Sequence, residues 1–323
     1  MNRTLVNLLQ YAIAAAGGLF LLYFSLHKID FAELAQTLRN GNYLVVLPVA
    51  LISLLVYWLR IHRWRLLFET LEMRPAKSHL FASLAVCYLV NFVVPRLGEI
   101  VRCLLLKKSD KAPLNVSLST IVFERSIDGL CLFLLLGVAL ATAAGNTGDV
   151  FNKYDPGDLK LGTKIFLLAA ALLIFFISLY LVRRFNNRIT EWMRGFLESM
   201  LRLLKMKHGW LFILETIGIW ICYYLMTYLW FFTFDDSAGL NLFQAFQVMV
   251  VGTFARSLPI QAGGAGAYHF GVSQALQFMG VSMLTGNALA IIIHGFQTVL
   301  TLILGGGSYF WFTWKFGKIS NGD

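Results

Sequence analysis

Long apolar runs separated by short charged segments set the pattern of this chain. Runs at 5–26, 43–59, 114–144, 161–182, 210–234 and 284–312 are each long enough to cross a bilayer as a helix. Two further apolar stretches, 79–94 and 240–279, are interrupted. The first runs into NFVVPRLGEIVR at 91–102, where Pro95 and Gly98 break the helical pattern beside Arg96, Glu99 and Arg102. The second holds RSLPIQAGGAGAYHFG at 256–271, where Pro259 lacks an amide proton and Gly263, Gly264 and Gly266 carry a high backbone-entropy cost in a helix. Irregular backbone at membrane depth survives only where it is packed in protein or lines a wet cavity. Paired broken segments at corresponding places of two halves are the sequence sign of a transporter-like site.

The expectation is therefore an all-α polytopic membrane protein: six full spans plus two broken, re-entrant units in inverted-topology repeats. One transmembrane domain covers 1–323, with halves 1–144 and 161–323 joined by an acidic outer loop.

Between the runs, two segments read as amphipathic helices lying in the interface. In 27–41, Asp30 can cap a helix with Phe31, Leu34 and Leu38 on one side. In 183–208, seven basic residues face only Glu191 and Glu198, and Phe185, Ile189, Trp192, Phe196, Met200 and Leu203 recur at helical spacing. Arg60, Arg63 and Arg65 close the second run and are read as interface markers, with Trp58 and Trp64 as aromatic anchors. Basic segments 60–78, 102–111, 183–208 and 315–318 fall on one side if both termini are cytoplasmic. The 145–160 loop and Asp235–Asp236 then fall outside.

Composition agrees with this pattern and narrows the partners. Hydrophobic residues make up 58% of the chain, charged ones 14%, and mean hydropathy is +0.68. A net charge of +10 sits beside the spans, so its expected partner is anionic lipid headgroups rather than nucleic acid. Cys87, Cys103, Cys131 and Cys222 show no metal or redox spacing. No cofactor, metal or catalytic constellation is predicted, and the glycines at 263–266 lack the Lys-Ser/Thr of a phosphate loop.

Candidate chemistry lies in the spans that follow each break. Glu124, Arg125 and Asp128 share one helix face, and His294 and Gln297 sit in the last run. Ionisable groups inside a membrane are costly, roughly 2.5–3.5 kcal/mol each at a helix centre, and mark binding or proton paths. The acidic pair calls for a cation, with Arg96 or Arg256 as expected partners. The candidate translocation set is thus Arg96, Glu99, Arg102, Glu124, Arg125, Asp128, Arg256, His269 and His294.

Three motifs in order, Pro95-Arg-Leu-Gly-Glu99 with Arg102, Glu124-Arg-x-x-Asp128, and Pro259-x-x-x-Gly-Gly-x-Gly266, resemble the lysylphosphatidylglycerol synthase transmembrane-region family of flippase-like membrane proteins. The resemblance runs from the second span to the last. It implies a multi-pass prokaryotic inner-membrane protein that moves an aminoacylated or anionic phospholipid, or a lipid-linked intermediate, between leaflets. In the family's best-known members a separate soluble domain makes that lipid, and these 323 residues are expected to lack it. After the glycine cluster, where the family often has an acidic residue, this chain has Tyr268-His269. Competing readings are an intramembrane headgroup transferase with Glu99 or Asp128 as base, an accessory subunit of an envelope pathway, and a small-solute transporter.

Overall fold

The structure is a computed structural model that describes residues 23, 30–94, 96–146, 187–257 and 265–317. The runs at 5–26 and 161–182, most of the acidic loop, and Pro95, Pro259, Gly263 and Gly264 lie outside the described residues. Eleven α-helices and no strand are found among those described: an all-α membrane fold.

The first half starts with α1 (Phe31–Arg39), capped as the sequence predicts: the Asp30 carboxylate accepts from the Ala32 amide at 2.7 Å. Then comes α2 (Val46–Thr70), entered through a turn in which Asn42 accepts from the Leu44 amide. The predicted end of this span near residue 59 is not observed. The helix continues through Arg60, Arg63 and Arg65, because leucines and arginines favour helix and no proline or glycine breaks it there.

Next, α3 (Lys77–Val93) and α4 (Leu97–Asp110) fold back on each other as a hairpin. Gly98 makes this possible, since a Cβ there would stand 2.1 Å from the Cys87 carbonyl oxygen. Asn91 locks the tip, accepting from the Gly98 amide at 2.8 Å and donating to Glu99 at 3.1 Å. At the base, His79 Nδ1 and the Ala76 amide meet the Asp110 carboxylate at 3.0 and 3.2 Å. The half closes with α5 (Leu114–Asn146).

The second half repeats this order. The amphipathic α6 (Asn187–Leu204) precedes α7 (Gly209–Trp230), and a short α8 (Asp235–Ala238) leads to a second hairpin, α9 (Leu242–Ser257) with α10 (Ala265–Phe278). The long α11 (Met283–Phe316) follows. Most contacts also pair off between halves: α4 packs on α5 as α10 does on α11, α3 on α11 as α9 on α5, α2 on α3 as α7 on α9, and α1 on α11 as α6 on α5.

The two lead helices cross the centre together and antiparallel. Ser53 meets Met226, Arg60 meets Tyr223 and Arg63 meets Thr216, while the Asn42 amide donates to the Thr233 carbonyl at 2.8 Å. The first hairpin is therefore based where α2 ends, beside Lys77, Lys107, Lys108 and Lys315. The second is based at the opposite, acidic end, where Asp236 accepts from the Ser282 amide at 3.0 Å ahead of α11.

The two largest clusters of buried apolar side chains lie around Trp230, Phe231 and Val272 at the acidic end and around Trp64, Phe68 and Phe212 at the basic end. The outside is apolar as well, with Leu47, Leu51, Phe133, Ile213, Ile217 and Ile303 exposed. So many large apolar side chains on the outside suit lipid, not water. The helices of Tyr43–Thr70, Gly209–Thr233 and Met283–Phe316 are long and apolar enough to cross a bilayer.

Candidate functional site

The charged residues converge in the first half. Glu124 and Asp128 project from successive turns of α5, and Glu124 is fully buried. Arg63, also fully buried, bridges both: its Nη2 donates to Glu124 at 2.8 Å and its Nη1 to Asp128 at 2.7 Å. Arg102, from α4, donates to the other Glu124 oxygen at 3.1 Å, its guanidinium 3.5 Å from the Trp64 ring centre. Arg60 lies 3.5 Å from Glu124 and donates to the Tyr223 hydroxyl at 2.8 Å. Thr216 accepts from Arg63 at 3.1 Å. Four elements thus hold one network.

Arg125 differs from the other three arginines. Its closest approaches to Glu124 and Asp128 are 3.9 and 3.8 Å, beyond hydrogen bonding, and its side chain is 42% exposed. Four guanidiniums meet two carboxylates here, an excess of two positive charges. In a region walled by apolar helices such an excess attracts an anion with little screening.

This corrects the sequence-based assignment of partners. Arg96 is exposed at the hairpin tip, in the left-handed backbone region with φ 67°, and Arg256 lies in another cluster. The cations that serve Glu124 are Arg63, Arg102 and Arg60. Arg60 and Arg63 are not interface markers, nor is Trp64 an anchor, since all three are buried because α2 carries them into the bundle. Trp58 is exposed, as expected of an anchor. A signal for the missed pair was present in the chain: Arg60 and Arg63 are three residues apart, hence on one helix face, as are Glu124 and Asp128.

A second polar cluster lies in the other half. Arg256, at the end of α9, stacks on Tyr268 with 3.9 Å to the ring centre and donates to Gln297 on α11. His269 and His294 stand 5.1 Å apart by ring centres, with Tyr268 6.2 Å from each. Gly266 is buried in the first turn of α10. Glu99 meets Asn91 rather than the arginine network. Among the described residues no group of three or more His, Cys, Asp and Glu could hold a metal ion.

Residues 7–305, nearly the whole chain, match the family described as the lysylphosphatidylglycerol synthase TM region. The chain belongs to that family. It is also similar to a UPF0104 membrane protein of Methanothermobacter thermautotrophicus, with 24% identity over 264 residues, 73% of this chain and 75% of that protein. No solved structure matches it.

One further polar pair was not anticipated. His62 Nδ1 contacts the Glu215 carboxylate between α2 and α7, and Glu215 is buried. In the sequence His62 sits among the arginines that follow the second run and Glu215 stands alone in an apolar one, so their meeting depends on the antiparallel register of the two helices.

Proposed function

We propose that this protein moves a phosphate-bearing phospholipid or lipid-linked amphiphile between the two leaflets of the cell membrane. The observation that carries the reading is the buried arginine excess around Glu124 and Asp128, with Arg125 loosely held and partly exposed beside it. A guanidinium not committed to a carboxylate can take a phosphate in its place, and arginine matches phosphate geometry in bidentate fashion. An inverted-topology arrangement would bring the broken units to this level of the bilayer from opposite faces.

Three features support it. The hairpin helices have 14 to 17 residues, short of the about 20 a full crossing needs. The hairpins are based at opposite ends of the antiparallel α2–α7 pair. Their tips also point to one level: Arg102 beside Glu124 puts Glu99 level with Asp128, near the middle of α5, while Arg256 beside Gln297 is near the middle of α11. Polar groups of both halves would then line one path at mid-depth. With no nucleotide-binding loop in the sequence, movement is passive or ion-coupled.

Reconstitution into liposomes with a headgroup-labelled anionic phospholipid, followed by quenching from outside, tests this. Wild type exposes more inner-leaflet label than protein-free vesicles. Arg125→Gln, Glu99→Gln and Arg256→Ala, at matched protein levels, fall toward the protein-free value. Exposure equal to protein-free vesicles across several lipids removes the translocation reading.

A further inference from the structure

Two cavities lie side by side against α3 at the basic end, and none of the network's arginines lines them. One, of about 260 Å³, is lined by Trp58, Ile61, His62, Lys77, Ser78 and Phe81. The other, of about 500 Å³, is lined by Phe81, Ala82, Ile303, Leu304, Gly307 and Trp311, and it too includes Ser78. They adjoin at Ser78 and Phe81.

Polarity is graded with depth in the first cavity, and in the second the polar lining is Ser78 and Ser308. α2 runs toward the basic end, α3 away from it and α11 toward it. His62, Lys77, Ser78 and Trp311 therefore stand at the shallow end, and Trp58, Phe81, Ala82 and Ile303 lie one to two turns deeper. The walls are mostly apolar, and of the two residues the cavities share, Ser78 is polar and shallow and Phe81 apolar and deeper.

That shallow end is basic. Lys77 is exposed there, and Lys315 lies 3.4 Å from His79 Nε2 and 5.1 Å from the Trp311 ring centre. The acidic groups nearby are engaged: Glu215 with His62, Asp110 with His79, and Glu69 with Arg65 at 3.0 Å.

We infer that the two cavities together hold one two-chain anionic phospholipid of the surrounding bilayer, an acyl chain on each side of Phe81 and the phosphate at Lys77 and Ser78. Charge complementarity at the shallow end selects an anionic headgroup, and paired apolar channels suit a diacyl lipid better than a single-chain amphiphile. The site does not depend on translocation: it binds lipid whether or not the protein moves one.

The glycine run of α11 supplies a clean test. A Cβ at Gly305 would meet Leu89 at 2.6 Å, so that glycine is needed for packing on α3, whereas a Cβ at Gly307 meets nothing within 4 Å and would project into open groove. The full chain is placed in phosphatidylcholine nanodiscs with a trace of phosphatidylglycerol carrying a diazirine on one acyl chain. After photolysis, labelled residues are mapped by mass spectrometry. Label is expected to concentrate in 77–82 and 303–311, with unlabelled phosphatidylglycerol competing about fivefold better than phosphatidylcholine, the effect of one basic residue on an anionic lipid.

Gly307→Leu abolishes that concentration, while Gly137→Leu, equally open on α5, keeps it. Lys77→Gln keeps the label but loses the phosphatidylglycerol preference. Uniform labelling of all lipid-facing helices, equal competition by the two lipids, or unchanged labelling in a monodisperse Gly307→Leu protein would each overturn the site. Loss of label exposure in the liposome assay leaves this result untouched, so the two proposals fail separately.

Discussion

At the scale of single residues, the arginines around Glu124 divide by how tightly they are held. Arg63 and Arg102 are buried and hydrogen-bonded to the carboxylate, so removing Glu124 strands the charge of Arg102 and leaves Arg63 with Asp128 and Thr216 alone. Glu124→Gln is expected to cost about 3–5 kcal/mol, the range for breaking a buried ion pair. Thermal unfolding in detergent checks it, and adding Arg102→Met should recover part of the loss, because one stranded cation is then gone. Arg125→Gln should instead shift stability by no more than about 1 kcal/mol, as partly exposed pairs do, while removing lipid movement. A melting temperature that falls as far for Arg125→Gln as for Glu124→Gln would place Arg125 in the scaffold.

Asp236 gives a pH dependence outside the spans. Burial pushes its carboxyl up, but hydrogen bonds from Ser282 and Thr285 outweigh this and hold it below its ordinary range. A carboxyl lowered by folding stabilises the protein at pH values above the unfolded one, and that contribution is lost as pH falls through the folded value. Wild type should therefore lose melting temperature on acidification below the usual aspartate range more steeply than Asp236→Asn, with the two differing most near neutral pH. Parallel curves would show that this contact contributes nothing.

At the scale of elements, the first hairpin depends on one close approach. Gly98 lets α4 lie against α3, and Asn91 ties the tip from both sides. Gly98→Ala is expected to destabilise by about 1–3 kcal/mol through overpacking, since its Cβ meets backbone that cannot rotate away. Gly306→Ala, with open space around its Cβ, should be neutral or slightly stabilising through helix propensity. Melting temperatures of the two purified variants measure the contrast. The order amphipathic helix, long helix, broken hairpin, long helix was legible from the hydrophobic pattern and its Pro–Gly interruptions. The end of α2 was not, because charges after an apolar run look the same whether the helix stops at the headgroups or carries them inward.

At the scale of the whole molecule, the paired contacts of the halves and the antiparallel α2–α7 pair support hairpins that dip in from opposite faces. Sidedness is then open to direct measurement. Cys87, Cys103 and Cys222 are buried and Cys131 is half-buried, so background labelling by a membrane-impermeant maleimide should be low. Asp235→Cys is expected to react in intact cells, and Lys107→Cys only after permeabilisation, in keeping with a cytoplasmic basic end. The reverse pattern would invert the orientation, and equal reaction of both in intact cells would place the two hairpin bases on one face.

The chain by itself determined that this is a helical membrane protein, where its helices break, and which of its residues carry charge into apolar surroundings. Those properties follow from local propensity and from transfer free energy, and both are written residue by residue. Only the tertiary structure decided which charges meet. Arg63 finds Asp128, and His62 finds Glu215, because helices far apart in sequence pack in a fixed register, and no local rule carries that distance.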